Sequence, residues 1–180
     1  LNTSTAALAV RNKKAFAMVK KYTTTAENGM LRIIRISDGL IGGLIKSENN
    51  LSHDGSCFVY DAAVVSGKAM VRGKARVDGD AQIDDNVVIG GNARVGGNAR
   101  IGGDARIGEN AWIGANSVIG EHAYIGGDAW ISGSAIIGGN ARIVGNARID
   151  GGQIDGSARI VGNARIDGGQ IDGNARIDGG

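Results

Sequence analysis

No proline occurs in the 180 residues, so nothing interrupts backbone hydrogen bonding along the chain. The single cysteine, Cys57, excludes an intrachain disulfide. With two histidines and one thiol there is no Cys/His cluster at zinc-binding spacing, and no metal is expected. No serine, histidine and acid stand out as a catalytic triad. Apolar runs stay well short of the roughly eighteen residues that a membrane span requires. No secretory apolar core of sufficient length stands near the start, and the expected compartment is the cytoplasm. Aromatics make up only 4% of the chain, so an ordinary aromatic-rich core is excluded as well.

Glycine is abundant instead. Thirty-two glycines would suggest a low-complexity chain if they had no period. Here the period is strict. From Val59 to Ile149 an aliphatic residue returns at every sixth position without a miss. Two residues before most of these anchors stands something small, as at Ala63, Ala69, Ala75 and Ser117, with Cys57 in the same slot before Val59. Glycine often follows the anchor, and Asn or Asp usually stands three residues after it. Period six fits neither an amphipathic α-helix nor a simple alternating strand. It fits a triangular coil in which each hexad supplies one short strand and one corner. The anchor then points to the axis, and the small residue fits inside the corner. The Asn or Asp is expected to take the corner conformation with φ > 0, which those residues tolerate better than other non-glycine types. A hexad cannot bury its own anchor, so it must stack on copies of itself. The Gly-x-Gly strings are therefore read as corners and not as phosphate loops.

The hexad pattern, Ile-Gly-x-Asn-Ala-x, resembles the hexapeptide-repeat family of left-handed parallel β-helices. Its left hand is implied by that resemblance, because parallel crossovers in general favour the right. The stretch from Gly42-Gly43-Leu44 through Asn50-Leu51-Ser52 to Cys57-Phe58-Val59-Tyr60 is similar to the opening of the YdcK-like bacterial and phage hexapeptide proteins. That resemblance covers roughly residues 18–148. Leu44 stands where the family usually has an aromatic, and the Asp/Val-rich segment before Gly-Gly is shortened. The expected fold is thus all-β, a single-stranded left-handed parallel β-helix of about seven coils with a small N-terminal cap.

Three segments are expected. Residues 1–29 read as a leader or read-through segment, poorly structured or with a short helix over 6–21, and Met18 is the expected natural start. N-terminal sequencing of the natural product that returned Leu1 or Asn2 would contradict that start. Residues 30–58 read as a β cap, with strands over 31–36 and 40–46, and residues 59–180 as the solenoid. Near-identical seventeen-residue units, 143–159 and 160–176, differ only at Ser157 against Asn174, and Gly-Gly should shorten one corner of each by a residue. The sequence stops mid-repeat at Gly180. It is expected either to continue or to have that open end covered by another subunit.

Charge is uneven: residues 1–50 carry eight Lys/Arg against three Asp/Glu, and residues 51–180 twelve against fifteen. A net acidic solenoid, whose arginine stripes have aspartates close by, argues against nucleic acid as partner. The residue before each anchor should point outward, and every eighteenth one should share a face. Trp112 and Trp130 fall in one such column and Tyr124 in another at the same level of the shaft, and the three form the candidate binding patch, for a protein partner or for self-association through an outer face. A purely structural ladder is the competing reading.

Hexapeptide proteins are best known as acyltransferases, in which a histidine deprotonates the group that attacks an acyl thioester. The resemblance therefore implies an acyl-CoA donor under that alternative, with His122 as the candidate base. His53 falls in the turn before the repeats. The loop excursion and the proline-bearing C-terminal segment usual in such enzymes are missing. The first expectation is thus a non-catalytic scaffold that needs no cofactor. An ice-binding surface ranks last, since outward threonine ladders are lacking.

Overall fold

The structure, a computed structural model, describes residues 19–180. It is an all-β solenoid of parallel stacked coils, about eight turns in length. Each hexad from Phe58 onward contributes a short strand, and every third strand pairs in parallel with the next to build three sheets. The pairings put Phe58, Arg76, Arg94, Trp112, Trp130, Arg148 and Arg165 in one column, here the tryptophan face. Val64, Gln82, Arg100, Val118, Ile136, Gln153 and Gln170 line the glutamine face. Met70, Val88, Arg106, Tyr124, Arg142, Arg159 and Arg176 line the arginine face. These are the three columns that an eighteen-residue coil requires.

The axis is filled by the anchors. Ile113, Ile125, Ile131, Ile143 and Ile149 are wholly buried, and so are the alanines two positions before them. Burial of each anchor is worth roughly 1.5–3 kcal/mol. The small slot also accepts Val87 and Ser117, the latter because its hydroxyl donates to the Gly114 carbonyl at 2.7 Å. After Ile149 the seventeen-residue units keep the stack in register, with Ile143 beside Ile160 and Ile160 beside Ile177. The shortened corner is made by Gly151 and Gly152, both with φ near +90° (86° and 87°), a pair of conformations that only consecutive glycines adopt without strain.

Two expectations need correction at the corners and at the N-terminal end. The residue with φ > 0 stands two positions after the anchor, as at Asp61, Asp85, Glu109, Ala115 and Glu121, and not three. The Asn and Asp at the third position instead hydrogen-bond to their counterparts in the next coil. Asn92 donates to Asn110, and Asn110 to Asp128, at 2.8 and 2.9 Å. Where the second position is acidic, its carboxylate accepts the N–H of the glycine one coil on, as Asp85 does from Gly103 at 2.8 Å and Glu121 from Gly139 at 2.9 Å.

The solenoid also begins earlier than Val59. Strand β3, Ile41–Ile45, pairs in parallel with Val64–Val65, and Leu51 bridges Val71. Ile45 and Leu51 are six residues apart and both buried, so they are the anchors of an extra first coil. An eight-residue step from Leu51 to Val59 hides them from a strict six-residue count. Gly42 and Gly43 belong to β3 because the backbone passes so close to its neighbours. A Cβ on Gly42 would lie 2.5 Å from the Val59 carbonyl oxygen and 2.6 Å from the Phe58 ring. Phe58, expected to face outward, is only 2% exposed for the same reason.

Above this coil an antiparallel hairpin closes the end: β1, Tyr22–Glu27, and β2, Met30–Arg35, with β2 paired to β3. β1 lies within 1–29, the segment read as a leader, so order begins well before residue 30. The turn is Asn28-Gly29, with φ of 50° and 77°. Tyr22 and Ile33 are buried over the shaft, and the Tyr22 hydroxyl donates to the Leu51 carbonyl at 2.8 Å. Asn50, buried, receives the Ser47 N–H at 2.8 Å and donates to Ala69 O at 2.7 Å. Met18, and the 6–21 helix up to residue 18, lie outside the described residues; 19–21 are not helical.

Candidate functional site

On each strand the residue before the anchor and the residue after it both point outward, so each face carries two columns. Composition of the second column decides what the first can do. On the tryptophan face it reads Asp78, Gly96, Gly114, Ser132, Asp150 and Asp167 through successive coils. Where it is small, the indoles lie across it: the Trp112 ring covers Gly114 and leaves no room there for a Cβ. Trp112 and Trp130 stack at 4.1 Å between centroids, with planes 28° apart. The Arg148 guanidinium covers Trp130 at 5.4 Å. Their ring faces are thus largely occupied within the chain, although Trp130 remains 41% exposed. Two of the second column's three acids neutralise the arginine beside them, in the pairs Arg76–Asp78 at 3.0 Å and Arg165–Asp167 at 2.8 Å, while Arg148, beside Asp150, lies over Trp130.

Tyr124 does not join the tryptophans. It stands on the arginine face, a different sheet, with Arg142 over its ring at 4.4 Å and its hydroxyl 3.5 Å from a Glu109 carboxylate oxygen. The second column of this face reads Arg72, Gly90, Gly108, Gly126, Val144, Val161 and Asp178. Among the described residues Asp178 is its one acid, and it pairs with Arg176 at 2.7 Å. Arg72, Arg106, Arg142 and Arg159 are exposed and form no ion pair among the described residues. Over Gly90 and Gly108 lies a shallow trough of about 200 Å³, bordered by Arg72, Arg106 and Tyr124. The sequence shows this cluster only if the residue after each anchor is tallied beside the residue before it.

On the glutamine face a second groove, about 330 Å³, runs between the corner row Asp80, Asn98, Asn116 and the outward Gln82, Arg100 and Val118. Asn98 donates to Asn116 at 3.0 Å, which leaves the outer amide atoms of that row facing solvent.

His122 occupies a corner, its side chain 64% exposed, with Nδ1 3.3 Å from Asp104 Oδ2 one coil earlier. The carboxylate orients the imidazole, but the dyad stands on a convex edge. His53 belongs to the cap. It stacks on Tyr22 at 4.2 Å and accepts the Lys21 N–H on Nδ1 at 3.4 Å. Its Nε2 is buried without a partner, and burial keeps its pKa below the usual histidine value. Cys57 is wholly buried, as its slot requires, with the Lys21 ammonium 3.0 Å from its sulfur. No group of three or more His, Cys, Asp or Glu among the described residues is placed to hold a metal ion, and no helix there is long and apolar enough to cross a membrane. No protein-family model matches the chain, and none of the curated proteins compared with it is significantly similar.

Proposed function

We propose that the protein is a non-catalytic β-solenoid scaffold whose outer faces bind a partner, of the left-handed hexapeptide kind and related to the YdcK-like bacterial and phage proteins. One observation carries this reading. From Phe58 to Arg176 every strand pairs in parallel with a strand of a neighbouring coil, and no loop leaves the shaft between hexads. Such a body presents flat, rigid, laterally patterned faces and devotes its interior entirely to packing. Sedimentation of the protein with Trp112→Ser and Trp130→Ser, beside capture of its partners, tests the tryptophan face as a contact. A change in either, with the β spectrum retained, supports an interface there; no change in both removes that face from the proposal.

The Asp104–His122 contact favours a second reading, an acyltransferase in which Asp104 orients His122 as general base toward an acyl-CoA donor. Turnover of acetyl-CoA that disappears in His122→Ala would replace the scaffold reading with this one. No turnover and no binding of the thioester is the expected result.

A further inference from the structure

We infer that the arginine face is a binding strip for an acidic polysaccharide, a slim chain bearing carboxylate or sulfate groups at regular intervals. This deepens the scaffold reading and rests on it. The solenoid as a whole has an acidic excess, but its charges are segregated by face. Arg76 and Arg165 on the tryptophan face carry their own aspartates, and the glutamine face sets Asp84, Asp155 and Asp172 against Arg100. The arginine face carries five arginines in its two columns against one acid, Asp178, which Arg176 takes up.

Geometry narrows the ligand. Arg142 and Arg159, outside any ion pair, stand on successive rungs spaced about 4.8 Å apart along the shaft, with Arg176, held by Asp178, on the next. Guanidinium groups on such a ladder can each take a planar carboxylate or a sulfate through paired N–H donors. Two rungs below Arg142, Arg106 joins Arg72 across the glycine floor of the trough. The floor offers no donors of its own, since Gly90 and Gly108 give their N–H groups to Ile107 and Ile125 of the next coil. Side chains must therefore make the contacts. Along the adjoining corner runs the amide row Asn92, Asn110, Asp128, then Asn146 to Asn163. An amide row beside an arginine row offers neutral donors and acceptors for sugar hydroxyls next to cations for the acid groups.

The same geometry disfavours other polyanions. Single-stranded nucleic acid is held largely by bases stacking on open aromatic faces. Tyr124 is the one aromatic here, and Arg142 already covers one side of it. Glu109 and Asp128 on one corner, with Asp104 and Glu121 on the other, border the strip and repel a body wider than the face, such as a duplex or a bilayer.

Calorimetric titration of the full chain with a size-defined oligogalacturonate tests the inference, beside maltooligosaccharide, oligothymidylate and phosphatidylglycerol vesicles. Oligogalacturonate is expected to bind and to weaken as salt rises, with the neutral sugar much weaker. The exposed pair Arg142→Ser with Arg159→Ser is expected to lower affinity at least about tenfold. Arg94→Ser with Arg148→Ser, on the tryptophan face, should leave it unchanged, with circular dichroism verifying the fold of both variants. The inference is overturned if oligogalacturonate fails to bind, if the two double variants behave alike, or if oligothymidylate or the vesicles bind as tightly. Any of those results leaves the scaffold reading standing, because only acyl transfer dependent on His122 removes that.

Discussion

Ala115 shows what one position costs in a repeat this short. Its φ of 54° places a Cβ in the left-handed region. The four acidic residues in the same slot each gain a hydrogen bond from the next coil: Asp61 with Gly79, Asp85 with Gly103, Glu109 with Gly127 and Glu121 with Gly139. Alanine gains none. Ala115→Gly is therefore expected to raise stability by roughly 0.5–1 kcal/mol, since relief of the strained conformation outweighs the added freedom of the unfolded glycine. Chemical denaturation that showed equal or lower stability would contradict that balance. Residue chemistry also explains why the corner rule was legible only in outline. Asn at the third position looks suited to φ > 0. Glycine at the second takes that conformation more cheaply, which frees the amide to ladder between coils.

At the scale of elements, the N-terminal hairpin is the part least like the repeat, and Tyr22 ties it down. Burial, before the nearby Glu48 charge, pushes the Tyr22 phenol up from 10.0 to about 12. Below pH 10 the phenol is neutral in folded and unfolded chains alike, and the hairpin keeps its hydrogen bond to Leu51. Above that value the unfolded chain ionises first, so stability should decline from about pH 10 to about pH 12. Tyr22→Phe is expected to abolish that decline and to cost about 1 kcal/mol at neutral pH. A melting series across alkaline pH checks both; a decline of the same size in Tyr22→Phe would assign it to another group. The Asn28-Gly29 turn that makes this hairpin is a strong local signal. A count tuned to period six passes over it, just as it passes over Ile45 and Leu51.

For the whole molecule, the near-identical units 143–159 and 160–176 make a direct test of modularity. Each spans one coil, and Ile143, Ile160 and Ile177 lie in register. Removal of 160–176 should therefore rejoin Arg159 to Ile177 as naturally as it now joins Ile160, leaving a shaft one coil shorter. The β signal per residue in circular dichroism is expected to persist, with a lower unfolding midpoint because one nearest-neighbour contact has gone. Collapse of the signal would show that the terminal coils are not interchangeable.

From Val59 to Ile149 the six-residue period by itself determined the three-sided shaft, the anchors of its core and the membership of each outward column, because an anchor every sixth residue has only one way to bury itself. It also placed His122 at a corner and Cys57 inside. Only the tertiary structure decided that the indoles cover each other, that Arg142 lies over Tyr124, and that four arginines of one face stand outside any ion pair among the described residues. Those outcomes depend on which side chains meet across coils, eighteen residues apart in sequence, and on how the residue after each anchor admits or blocks its neighbour. A linear count of charge averages over three faces, whereas electrostatics acts on one face at a time.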